Sequence, residues 1–82
     1  MSEERVCAVI GAGAWGTTLA AMLCRRGTPV RLWARRSSVA EEINRTHRNQ
    51  LYLDEIDLPP ELSASTSMRE VLDGAGTVIF AV

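Results

Sequence analysis

The chain has 82 residues, 46% hydrophobic and 23% charged, with a formal net charge of −1 at neutral pH. That length allows one small domain at most, and such a domain buries only about 60% of the surface its unfolded form exposes. The balanced charge gives no electrostatic case for nucleic acid or an anionic membrane as a partner; no apolar run approaches the ~20 residues of a membrane span, and the start Met1-Ser2-Glu3-Glu4-Arg5 is too polar for a signal peptide.

A first strand is expected over residues 5–10. It runs directly into Gly11-Ala12-Gly13-Ala14-Trp15-Gly16. This G-x-G-x-x-G run is followed by a helical pattern over residues 14–26, with Leu19, Met22 and Leu23 as its expected apolar stripe. Strand, glycines and helix in that order are the context that gives the motif meaning. Gly11 permits the tight turn out of the strand. Gly13 leaves backbone N–H groups bare for a pyrophosphate. Gly16 lets the helix pack closely on the sheet. The helix N-terminus then directs free N–H groups and a partial positive charge at the phosphates. Trp15 either packs under this loop or lines a cofactor channel; chemistry alone does not separate the two.

Gly27 stands where a left-handed helix cap is expected. A second strand is expected over residues 29–34. A second helix then runs from a capping box of Ser38 and Glu41 to about His47, with Val39, Ala40 and Ile43 facing the core. An irregular stretch covers residues 48–61 and contains Pro59-Pro60, which stops both helix and central strand. Residues 62–66 form a short third strand. Ser67 and Glu70 make a second capping box for a helix through Leu72, closed by Gly74 and Gly76. Thr77-Val78-Ile79-Phe80-Ala81-Val82 reads as a buried parallel strand. The chain stops at its end, so the simplest expectation is that residues 1–82 begin a longer protein.

The order β-α-β-α-β-α-β predicts an α/β, Rossmann-like parallel sheet with strand order 3-2-1-4 and the nucleotide at the switch point beside strand one. Such folds often bind the ribose hydroxyls of NAD with an acidic residue after strand two. Here the segment reads Leu32-Trp33-Ala34-Arg35-Arg36. Two guanidinium groups stand where the carboxylate is absent. They suit a 2′-phosphate through forked, charge-assisted hydrogen bonds, which favours NADP(H) with NAD(H) still admitted. The plainer alternative is a solvated basic turn. Cys7 and Cys24 match no metal or redox spacing and read as free thiols of a reducing cytoplasm. His47 is the only histidine, so no His cluster exists for a metal.

Three blocks resemble the NAD(P)-dependent glycerol-3-phosphate dehydrogenase family in its bacterial form. The first is Gly11-Ala12-Gly13-Ala14-Trp15-Gly16-Thr17-Thr18-Leu19-Ala20, similar to G-x-G-S-W-G-T-A-L-A. The second is Val30-Arg31-Leu32-Trp33-Ala34-Arg35-Arg36, similar to V-x-L-W-x-R. The third runs from Asn49 to Leu62, similar to N-x-x-Y-L-P-G-I-x-L-P-x-x-L, and is the most specific. Ala14 departs from the usual serine, and Asp54-Glu55 replaces Pro-Gly. The resemblance implies interconversion of sn-glycerol 3-phosphate and dihydroxyacetone phosphate, supplying glycerophospholipid synthesis. It implies that Gly11, Gly13, Ala14, Trp15 and Gly16 hold the pyrophosphate and that Arg35 and Arg36 hold the 2′-phosphate end. It sets Tyr52 near the cofactor, where the residue could equally be a loop anchor, and Val82 at the strand tip beside it. The family's catalytic lysine and helical substrate domain are expected downstream, and this chain contains no lysine. A homodimer is compatible with this reading. Three rivals stand beside it: another Rossmann dehydrogenase of hydroxyacid, hydroxyacyl or ketopantoate type, a non-catalytic NAD(P)-sensing module, and a shortened product without function.

Overall fold

The computed structural model describes residues 5–54 and 56–81. Four strands and three helices alternate: β1 (Val6–Ile10), α1 (Ala14–Arg25), β2 (Val30–Trp33), α2 (Ser37–Thr46), β3 (Ser63–Ser65), α3 (Met68–Leu72) and β4 (Ala75–Phe80). All three strand pairings are parallel. The order in the sheet is β3-β2-β1-β4, as the motif order predicts.

Alternation along β1 builds a layer on each face of the sheet. Cys7 and Val9 enter the larger core, with Ala20 and Ala21 of α1, Val39, Ala40 and Ile43 of α2, and Leu58 and Leu62. Ala8 and Ile10 face the other way and meet Val71 of α3. Leu32, Ile43 and Leu62 are almost wholly buried. Each contributes about 1.5–3 kcal/mol by leaving water.

The apolar stripe of α1 differs from expectation. Its buried residues are Gly16, Thr17, Ala20 and Ala21, whereas Met22 is exposed and Leu19 and Leu23 are half-buried. The helix lies so close to the sheet that only small side chains fit beneath it. A Cβ on Gly16 would run into the Gly11 carbonyl oxygen and stand 3.2 Å from the Ala81 Cβ. Gly27, at φ +95°, ends α1 as expected. The Gly27 N–H donates to the Cys24 carbonyl at 3.0 Å and the Thr28 N–H to the Leu23 carbonyl at 3.1 Å, the paired bonds of a Schellman cap.

The Ser38–Glu41 capping box does not form. Helix α2 begins two residues earlier, with Arg36 as N-cap and no side-chain cap bond, so Ser38 lies inside the first turn. The second box forms in part. Ser67 Oγ accepts from the Glu70 N–H at 3.2 Å. The Glu70 carboxylate, however, accepts from the Ser65 hydroxyl at 3.0 Å, and Ser65 Oγ accepts from the Ser67 N–H at 2.9 Å. Ser65 thus stands between the two members of the box.

Gly76 belongs to β4 rather than to the turn before it; Gly74, at φ +70°, makes that turn. Strand β4 is not buried as expected. Among the described strands it pairs with β1 alone, and Val78 and Phe80 are exposed. At the opposite edge, Asn44 of α2 pairs with the backbone of β3: its Nδ2 donates to the Ala64 carbonyl and its Oδ1 accepts the Ala64 N–H, both at 2.8 Å. This amide satisfies edge groups that a neighbouring strand would otherwise take. Arg31, on the α3 face of β2, donates to the carbonyls of Glu70, Val71 and Asp73. A cation there complements the C-terminal end of α3.

Candidate functional site

The carboxyl ends of β1, β2 and β4 meet around the glycine turn. Ala81 N–H donates to the Ile10 carbonyl at 2.8 Å, and Gly11 N–H to the Trp33 carbonyl at 3.1 Å. Gly11 then reverses direction at φ +123°, a conformation other residues adopt only with strain. Gly13 caps α1 in extended conformation, and its carbonyl accepts the first helical bond from Thr17 at 3.0 Å. Glycine has no side chain to cap the first-turn N–H groups, so that end of the helix is left for an external acceptor.

A groove of about 280 Å³ opens over this turn. It is lined by Gly11, Ala12, Gly13, Trp33, Ala34, Arg35, Arg36, Val39, Tyr52 and Ala81. The fold therefore gathers five of the sequence-derived candidates: Gly11, Gly13, Arg35, Arg36 and Tyr52. Gly16 is buried behind the turn, where it permits close packing. Ala14 and Trp15 are exposed on the first turn of α1 and lie outside the lining. Trp15 does not pack under the loop; it is 67% exposed. Val82 lies outside the described residues.

Gly13 differs from the other two glycines of the motif. Its φ of −73° suits any residue, and a Cβ built there meets no atom of the chain within 4 Å. Neither backbone nor packing requires a glycine here. What the missing side chain provides is free space facing the groove.

Among the described residues, Arg35 and Arg36 are the only charged ones that line the groove. Among the described residues neither makes an ion pair or a side-chain hydrogen bond. Other arginines are engaged: Arg25 donates to the Asp57 carbonyl at 2.8 Å, Arg31 caps α3, and Arg48 pairs with Asp57 at 3.0 Å. Two adjacent guanidiniums without partners leave their full forks available to an anion. Trp33 is held beside them by its indole N–H, which donates to the Thr66 carbonyl at 2.9 Å.

Sequence reading missed Thr17 and Asn49 as parts of the site's support. Both are wholly buried. Asn49 Nδ2 donates to the Ala12 carbonyl and to Thr17 Oγ1, each at 2.9 Å, and the Thr17 hydroxyl donates to the same Ala12 carbonyl at 3.2 Å. The partner of a lone asparagine depends on tertiary contact, which no periodicity reveals.

Elsewhere, burial pushes the Cys7 thiol up from its ordinary pKa. Burial does the same for Cys24, with the Glu61 carboxylate adding to it and Arg25 opposing. Both thiols are free and held in the unreactive protonated form. No cluster of three metal-ligating side chains occurs among the described residues, and no helix there is long and apolar enough to cross a membrane.

Residues 6–82 match the family model described as the N-terminus of NAD-dependent glycerol-3-phosphate dehydrogenase. The chain belongs to this family. It is 51% identical over 75 residues to the glycerol-3-phosphate dehydrogenase [NAD(P)+] of Corynebacterium urealyticum, covering 92% of this chain and 23% of that protein. Identity to the Oceanobacillus iheyensis enzyme of the same name is 48% over 75 residues, 92% of this chain and 22% of that one. The crystal structure of glycerol-3-phosphate dehydrogenase from Coxiella burnetii superposes with a TM-score of 0.86 at 34% identity, covering 94% of this chain and 24% of that one. The chain thus spans roughly a quarter of the length of the relatives it matches, and the match includes the glycine turn, the paired arginines and the Asn49–Leu62 loop.

Proposed function

We propose that this chain is the NADP(H)-binding part of an oxidoreductase that interconverts sn-glycerol 3-phosphate and dihydroxyacetone phosphate. The bound cofactor supplies or takes up the hydride; the protein supplies position and charge. Gly11 and Gly13 admit the pyrophosphate to the turn, and the first N–H groups of α1, at Ala14, Trp15 and Gly16, meet its oxygens. Arg35 and Arg36 take the adenosine 2′-phosphate. Tyr52 borders the cofactor from the loop after α2. Substrate binding and proton transfer belong to residues outside this chain, as its lack of lysine agrees with. Two free thiols support a cytoplasmic setting.

The observation that carries this reading is the pairing of an unfilled Gly13 cradle with two uncommitted guanidiniums in one groove. Forked cations suit a 2′-phosphate, the group that NADP(H) carries and NAD(H) lacks. A sensing module would share the groove, but the family match favours the dehydrogenase.

Joining residues 1–82 to the remaining three-quarters of the Corynebacterium urealyticum protein, in place of its own first quarter, tests the reading. Oxidation of NADPH that depends on dihydroxyacetone phosphate, followed at 340 nm, is the expected outcome. A folded chimera that binds NADPH without turnover would remove the dehydrogenase assignment and leave the cofactor site standing.

Gly13→Val separates binding from folding. The side chain enters open space, so Tm should change little, with at most about 1 kcal/mol lost at the helix cap. NADPH affinity, measured by calorimetry, should fall at least about tenfold because the valine occupies the phosphate's place. Retained affinity would mean that the pyrophosphate lies elsewhere.

A further inference from the structure

We infer that Asn49 is the positioning residue that fixes Tyr52 over the cofactor groove, by fastening the loop after α2 to the glycine turn. The inference rests on the cofactor reading above and extends it to a residue outside the groove lining.

Asn49 has two independent attachments. Its side chain is wholly buried and donates both amide hydrogens at 2.9 Å, one to the Ala12 carbonyl between the first two motif glycines and one to Thr17 Oγ1 in α1. Its backbone carbonyl accepts the Leu53 N–H at 2.7 Å, and the two residues form an isolated antiparallel bridge. The five-residue turn so closed carries Tyr52, which is 44% exposed and lines the same groove as the arginines. One residue therefore links the turn that would hold the phosphates to the loop that presents the tyrosine.

The direction of the amide is fixed by chemistry. Oδ1 has no hydrogen-bond partner among the described residues. Turning the amide over would set Oδ1 against the Ala12 carbonyl, an acceptor facing an acceptor. In this orientation both amide hydrogens find acceptors, one in the glycine turn and one in α1.

The remaining loop contacts lie farther along or nearer α2. The Leu58 N–H donates to the His47 carbonyl at 2.9 Å, and Glu42 Oε1 accepts the Gln50 N–H at 3.2 Å. Neither reaches the glycine turn. Loss of the Asn49 amide should free Tyr52 while Leu58 and Leu62 keep the rest of the loop on the core.

The test is a double-mutant cycle in the 82-residue chain, with NADPH affinity measured by calorimetry for the unsubstituted chain, Asn49→Ala, Tyr52→Ala and the pair. Asn49→Ala should raise the NADPH Kd about tenfold, the scale of one or two lost hydrogen bonds. The pair should bind like Tyr52→Ala alone, within about twofold, because residues that act as one unit are not additive. A purely structural Asn49 would lower Tm, leave the Kd of the folded chain unchanged and overturn the inference. Multiplying losses in the pair would overturn it too. Should Asn49→Ala fail to fold, the isosteric Thr17→Val removes one of the two acceptors and enters the same cycle with Tyr52→Ala, under the same criteria. Failure of the unsubstituted chain to bind NADPH removes the cofactor reading and this inference together. Binding there with an unchanged Asn49→Ala removes this inference alone.

Discussion

Gly16→Ala should lower the melting temperature more than any other single-methyl addition in the chain. The new Cβ would enter the Gly11 carbonyl oxygen and lie 3.0 Å from its carbon. Both obstacles are backbone, and that backbone is already held at φ +123° and bonded to the Trp33 carbonyl. No side chain can swing aside. Helix α1 must move off the sheet, separating Ala20 and Ala21 from Val9 and Leu32, all members of one core. Overpacking of this kind costs about 3 kcal/mol at the upper end of its usual range. In a domain of this size that corresponds to a fall in Tm of roughly 12–24 °C. Thermal unfolding followed by circular dichroism measures it directly. Gly13→Ala is the control, since its methyl meets nothing within 4 Å. Equal Tm values for the two variants would show that close approach of α1 is not what Gly16 provides.

Arg35→Asp with Arg36→Ala should separate the two cofactors. Both arginines are exposed and uncommitted, so stability should hold within about 0.5 kcal/mol. A charge-assisted hydrogen bond is worth about 1.5–3 kcal/mol. Losing two of them at the low end raises the NADPH Kd on the order of 100-fold, and the new carboxylate adds repulsion. NADH has no phosphate at that position and should change by no more than about threefold. Calorimetry at one fixed ionic strength is required, since salt screens exposed charges. Parallel loss of both cofactors would mean that the arginines serve the pyrophosphate or the fold instead.

Much of this architecture was legible because local chemistry and global fold agree. The glycine turn, Gly27 and the Val39–Ala40–Ile43 face each carry their own physical signature. Strand order followed from the alternation of strands and helices. The misreadings share a cause. Leu19, Met22 and Leu23 look like a core stripe because hydrophobicity was weighed without distance. Once Gly16 brings α1 against the sheet, the space beneath belongs to Gly16, Thr17, Ala20 and Ala21. Ser38 matches a cap pattern, but α2 starts at Ser37 and turns that serine into an ordinary helical residue. In β4, an apolar composition suggested burial on both sides, whereas β1 is its only neighbour among the described strands. Asn49 and Thr17 were hidden for another reason. Their pairing spans 32 residues and rests on one amide orientation, which no short-range pattern encodes.

The most direct test of a dinucleotide site in this groove is an amide-proton NMR titration of the chain with NADPH. Shifts should concentrate at Gly11–Thr17, at Ala34–Arg36 and around Tyr52, and NADH should reproduce the first group while largely sparing the second. Shifts confined to the far end of the sheet around Arg25–Val30, or no saturable shifts at all, would mean that the groove over the glycine turn does not hold the cofactor.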